Sequence, residues 1–176
     1  MTFYRFHLLL LTLVVGFSAH GQMTTATLSP TEDTYVESGS TANNSAGTSL
    51  YADITATSIR RAYLKFDIAS LNIPTNAIVY SAYLKLPIQS EYSSPVAITA
   101  KRVSAAWNAS TITYATQPAL ETSDASNVSD VTGYYRRIRV TSQVQKLANM
   151  PLLDYGFCVH RYNETGSARL YRYNSN

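Results

Sequence analysis

The stretch Ile59-Arg60-Arg61-Ala62-Tyr63-Leu64-Lys65-Phe66-Asp67-Ile68 decides the fold. Ala62, Leu64, Phe66 and Ile68 recur at every second position, and Arg61, Tyr63, Lys65 and Asp67 alternate with them. Successive side chains of a strand point to opposite faces, so this is a strand with one apolar side and one basic, aromatic side. Residues 78–86 repeat the pattern, with Ile78, Tyr80, Ala82, Leu84 and Leu86 expected on the core side and Val79, Ser81, Tyr83 and Lys85 opposite. In residues 134–140 the expected inward set is Tyr134, Ile138 and Val140, with Arg136 between them, and Tyr135, Arg137 and Arg139 project outward. Residues 168–173 place Arg169, Tyr171 and Tyr173 on one side and Leu170 and Arg172 on the other, and alternation leaves open which side is inside.

Working outward, further short β-branched and aromatic segments begin near Thr25, Asp33, Ser49, Val96, Thr111 and Tyr155, separated by Ser, Thr, Asn, Gly and Pro. The pattern is all-β. One helix is expected, a short connector over Thr141 to Met150, where Thr141 or Ser142 can cap, Val144 and Leu147 lie three apart and Pro151 follows. The loops 38–48 and 104–130 are polar and long, which suits a sandwich with elaborated ends. The chain has 176 residues, 45% of them hydrophobic and only 14% charged, against about 25% charged in ordinary soluble domains. Its aliphatic and Tyr content excludes disorder, and the pattern excludes collagen and coiled coil. One Cys makes no internal disulfide, and Cys and His are too few for a Cys-rich zinc site.

The N-terminus reads as a secretory leader. Arg5 gives a basic start, residues 8–15 read LLLLTLVV, and Ala19-His20-Gly21 supplies small residues where a signal peptidase reads. The apolar run is about half the roughly 20 residues a membrane span needs, so removal rather than anchoring is expected. The expected organisation is a leader over 1–21 and one domain over 22–176, exported without membrane insertion.

Without the leader the chain has 13 basic and 11 acidic residues, a mild excess that gives no reason to expect a nucleic-acid partner. The kind of residue is more telling: nine Arg against four Lys, and thirteen Tyr against two Phe. Arg pairs bidentately with carboxylate or sulfate, and Tyr offers a flat apolar face with a polar tip. Together they suit an anionic or hydroxyl-rich ligand; equally, Tyr is a favoured strand residue. If the strands share a sheet, Arg61, Tyr63, Lys65, Tyr83, Lys85, Arg137 and Arg139 form one basic, aromatic face.

These residues resemble a known family. Thr31-Glu32-Asp33-Thr34-Tyr35-Val36, the loop from Ser38-Gly39-Ser40 to Leu50-Tyr51, and Arg61-Ala62-Tyr63-Leu64-Lys65-Phe66-Asp67 are similar to the opening of the exported bacterial DNRLRE domains, also classed as carbohydrate-binding module family 96. Residues 78–86 resemble its second long strand, 103–118 (VSAAWNASTITYATQP) its Trp, Thr, aromatic and Pro signature, 140–144 its turn into a short helix, and Asp154-Tyr155-Gly156-Phe157 its next strand. Tyr171 to Asn176 resembles the closing strand, although that usually ends in Ser-Arg-Glu or a similar triplet. The resemblance implies a jelly-roll type β-sandwich that binds carbohydrate without catalysis, with alginate-like polyuronates as the ligand class.

Other chemistry finds weaker footing. Asp33 and Asp67 are the candidates for a structural calcium, but no acidic run resembles a calcium loop, and turn hydrogen bonds are the competing role. No cofactor is expected. Trp107 reads as a plug packed into the core rather than a sugar platform. Cys158 and His160 share a strand face, yet no orienting Asp or oxyanion motif accompanies them. A polysaccharide lyase would need His160, Arg161 and Tyr162 together, whereas Arg161 points away from the other two. A non-enzymatic alternative is a surface or filament subunit that self-associates, in which residues 22–29 add as a strand to a neighbour.

Overall fold

The computed structural model describes residues 10–17, 22–74, 76–91, 97–124, 130–132 and 134–175. In chain order the strands are β1 (Leu10–Phe17), β2 (Gln22–Leu28), β3 (Glu32–Glu37), β4 (Ser49–Tyr51), β5 (Asp53–Ile54), β6 (Ile59–Lys65), β7 (Ile78–Glu91), β8 (Ile98–Arg102), β9 (Asp130–Thr132), β10 (Tyr135–Arg139), β11 (Phe157–Arg161) and β12 (Tyr171–Asn174). The helix α1 covers Thr141–Asn149. Two antiparallel sheets form a sandwich, the all-β architecture expected. One has the order β2-β1-β7-β10-β9, with β12 pairing both β7 and β4; the other runs β3-β6-β11-β8, with β5 pairing β6.

The core lies between the sheets. β6 contributes Ala62 and Leu64, followed by Phe66 and Ile68; β7 contributes Ala82, Leu84 and Leu86; β11 contributes Phe157 and Val159. Val144 and Leu147 of α1 pack against the same cluster. The residue preceding the helix is Val140 and no side chain caps it. Thr141, expected to cap, instead accepts the Ala82 amide at 3.0 Å, tying α1 to β7.

Three expectations are corrected. Ile78 and Tyr80 are 65% and 69% exposed, and Val79 is buried in their place. The register explains this: Val14 faces Ser81 and Val15 faces Val79, so Tyr80 is skipped by a bulge that reverses the alternation. Tyr134 is 86% exposed because β10 begins one residue later, leaving Arg136 and Ile138 as its inward residues. The segment expected at Thr111 is not a strand but part of a run of turns over 109–116. The ambiguity in β12 is resolved with Tyr171 and Tyr173 buried, so Arg172 faces away from the core.

Leu10–Phe17, the apolar part of the expected leader, pairs here with β2 on one side and with residues 78–85 of β7 on the other. An apolar, β-branched run satisfies an open sheet edge by the same backbone pairing as any strand.

Gly156 marks a tight approach. Its φ is +79°, and a Cβ there would strike the Leu64 carbonyl oxygen and lie 2.9 Å from the Lys65 Cα. Gly156→Ala is therefore expected to destabilise the protein by about 2 kcal/mol or more, read as a lowered midpoint in chemical denaturation.

Candidate functional site

The seven residues expected to form one basic face are divided between the two sheets. Arg61, Tyr63 and Lys65 stand on the outer side of β6, and Tyr83, Lys85, Arg137 and Arg139 on the outer side of β7 and β10. The single continuous face is thus corrected to two separate groups.

The β6 group lies under the loop 104–118. Tyr63 is fully buried with Val36, Cys158, Val103, Trp107 and Ile112 in a second apolar cluster, and its hydroxyl donates to Gln117 Oε1 at 2.9 Å. Arg61 makes a bidentate pair with Glu164, at 2.7 and 2.5 Å, and also donates to Gln117. Lys65 donates to Glu32 Oε1 at 2.5 Å and to the Trp107 carbonyl at 2.9 Å, with its ammonium 4.7 Å from the Trp107 ring centre. Trp107 in turn donates its indole N–H to the Tyr155 carbonyl at 2.6 Å, as a plug would. The three side chains fasten loops to the sheet. Their partners lie 33 to 103 residues away in sequence, which strand alternation cannot reveal.

Charge and burial set the chemistry of this cluster. Burial opposes ionisation of Glu164, but hydrogen bonds from His160 and Arg61 bring its carboxyl down to about 2. The hydrogen bond to Glu164 raises Arg61 above its ordinary value. Burial pushes the Cys158 thiol up to about 12, so it is a packed, neutral side chain rather than a nucleophile. Arg161 is buried and donates to the Ser167 carbonyl at 2.8 Å, on the opposite face of β11 from His160. Among the described residues no three His, Cys, Asp or Glu side chains converge on a metal position. Asp33 accepts from the Ser175 hydroxyl at 2.9 Å, and Asp67 accepts the Ser70 amide at 3.1 Å in a turn.

The β7–β10 group is different. Register places Arg137 opposite Lys85 and Arg139 opposite Tyr83. The Arg137 guanidinium sits 5.0 Å from the Tyr83 ring centre, a cation–π contact that orients both groups across the strands. Arg139 is exposed and donates through Nε to Thr141 at 3.3 Å. Lys85 has no hydrogen bond or ion pair among the described residues. On the far flank Asp130 of β9 stands opposite Arg137.

A corner cavity of about 690 Å³, which sequence reasoning missed, opens where β4, the β5–β6 turn, the end of β7 and the segment before β12 meet. Tyr51, Thr55, Arg60, Arg169, Leu170 and Arg172 are among the residues lining it. Buried Asp53 holds Arg60 in a bidentate pair at 2.7 Å and also accepts the Tyr171 amide at 2.9 Å. Arg60 lies 3.9 Å from the Tyr51 ring centre, Arg172 lies 5.8 Å from it, and Tyr35 meets it edge-on at 4.8 Å. Arg60 escaped notice because alternation sets it on the core side of β6, and Arg172 because the inside of β12 was ambiguous.

The chain belongs to carbohydrate-binding module family 96, whose profile matches residues 24–176. It is thus one of a class of non-catalytic modules that bind carbohydrate. A search of curated proteins finds no match.

Two outcomes test the β6 cluster. A thiol reagent at pH 8 should leave native Cys158 unmodified and react on denaturation, because the side chain is fully buried and burial disfavours its thiolate. Glu164 has a depressed folded-state pKa, so its stabilising contribution is complete above about 4.5 and is lost as pH falls towards about 2. Glu164→Gln should lower the melting temperature at neutral pH and remove that part of the acid sensitivity, as followed by thermal denaturation between pH 7 and 2.

Proposed function

We propose that the protein is exported with loss of residues 1–21 and binds an anionic polysaccharide, an alginate-like polyuronate, through Tyr83, Lys85, Arg137 and Arg139. One observation carries this reading: a guanidinium 5.0 Å from a tyrosine ring centre, next to a lysine with no hydrogen bond or ion pair among the described residues, on the outward side of β7 and β10. The ring offers an apolar surface to the C–H side of a sugar, and the cations offer charge-assisted hydrogen bonds to its carboxylate. Side chains spread along two paired strands suit a long polymer held at repeated contacts. Binding is electrostatic at close range and requires no cofactor or metal, so it weakens with salt and is indifferent to chelators.

Affinity electrophoresis against alginate, pectin, a sulfated glycan and cellulose, at low and high salt and with EDTA, tests this. Retardation by the uronate polymers is expected at low salt, reduced at high salt and unchanged by EDTA. Lys85→Ala with Arg137→Ala should weaken it about tenfold or more. Binding to cellulose alone, or salt-independent binding, contradicts the anionic ligand. N-terminal sequencing of the exported protein should begin at Gln22.

A second reading has one observation in its favour. Residues 78–85 of β7 accept a strand drawn from the expected leader, and cleavage after Gly21 opens that edge to residues 22–29 of another copy. Sedimentation velocity distinguishes the two: a binding module stays monomeric as concentration rises, whereas a subunit assembles and loses that ability when 22–29 are deleted.

A further inference from the structure

The corner cavity and the Tyr83–Arg137 face lie on one strand. β7 carries Lys85 in the second and Ser90 at the rim of the first, and Ser90 is the register partner of Arg172. Five residues of strand span about 17 Å. Arg172 alternates with buried Tyr171 and Tyr173, so it projects from the same outer side of the sheet as Lys85, which alternates with buried Leu84 and Leu86.

The cavity combines a guanidinium with an apolar wall. Arg172 is oriented by donating through Nε to Ser49 at 2.9 Å, and no carboxylate among the described residues pairs with it. Arg60, by contrast, has its charge matched by Asp53 and serves to brace the Tyr51 ring from behind. Beside Arg172 the wall is apolar: Leu170 is 53% exposed and Ala168 adjoins it. A bare inorganic anion has no use for that wall, and a neutral sugar offers the guanidinium hydroxyl acceptors but no opposite charge. A sugar acid uses both, with a carboxylate for the fork and a C–H face for the leucine. The volume, about 690 Å³, falls within the range of ligand pockets.

We infer that the corner cavity is a second subsite, taking one uronate unit with its carboxylate on Arg172 and its C–H face on Leu170 and Ala168. This rests on the reading that the ligand is an acidic polysaccharide. A chain laid along β7 engages the sheet face and the cavity at once, and the second contact becomes intramolecular once the first is made. The module therefore measures length: a fragment too short to bridge about 17 Å occupies one subsite at a time, and a longer one gains from both.

Calorimetric titration of the purified protein with alginate fragments of increasing length, from the disaccharide to the polymer, tests the inference. The disaccharide should bind weakly at two sites, one lost in Arg172→Ala and in Leu170→Asp and the other lost in Arg137→Ala. Both residues 170 and 172 contact solvent, and circular dichroism with thermal melting confirms that the variants fold. The affinity of the wild type should rise about tenfold or more over a narrow step in length, and that step should vanish in Arg172→Ala and in Arg137→Ala alike. Polymer binding that needs Arg137 but is indifferent to Arg172 and Leu170 overturns the second subsite and leaves the proposed function standing. A wild type that binds the polymer but no short fragment, with no step, overturns it equally. Failure of every fragment and the polymer to bind removes the proposed function itself.

Discussion

The structure depends on β6 being buried on both faces. Its inner side supplies Ala62 and Leu64 to the core between the sheets, and its outer side is covered by a loop that buries Tyr63 beneath Trp107. A strand buried twice cannot carry unpaired charge, because desolvation of a lone guanidinium or ammonium is costly. Arg61 and Lys65 accordingly each have a carboxylate partner, Glu164 and Glu32, brought by segments far away in the chain. With the outer face of β6 roofed over, the outward side chains of β7 and β10 are the ones that stay half-buried or exposed among the described residues.

The polar loops do this roofing through turn chemistry. Asn43, Asn108 and Asn163 each accept, through the side-chain oxygen, both the amide and the hydroxyl of the residue two positions on. Asx turns of this kind stiffen a loop with local bonds alone. Asn43 also donates to the Ala109 carbonyl at 2.6 Å, joining the loop after β3 to the loop that carries Trp107. The Ser, Thr and Asn richness of these loops thus serves rigidity.

A charged pair of a different kind shapes the corner. Asp53 is fully buried and shared between the Arg60 guanidinium and the Tyr171 amide. It thereby ties the β5–β6 turn to the closing strand and, through Arg60, presses on one face of Tyr51. Pairing neutralises Arg60, whereas Arg172, held through Ser49, lines the cavity with no carboxylate partner among the described residues. The same residue type therefore plays two parts a few ångströms apart, decided by whether a carboxylate stands behind it.

Much of this was legible in the sequence. The period of two in residues 59–68, the short helix after Val140 and the polar loops determined an all-β sandwich, since alternation and helix spacing are local properties of the chain. Local patterns also identified which residues leave the core side of β6, of β7 from Ser81 onward and of β10. They did not tell that a bulge at Tyr80 reverses β7, since a bulge is set by the partner strand. Nor did they tell which outward faces stay open, because Arg61, Tyr63 and Lys65 look like Tyr83, Lys85 and Arg137 until the loop 104–118 is placed. The corner cavity was invisible for the same reason: it joins Tyr51, Arg60 and Arg172 from three segments, and their meeting is decided by strand order and register. Sequence determined which residues alternate; only the packing of distant segments decided which outward residues are covered by the protein itself and which reach solvent.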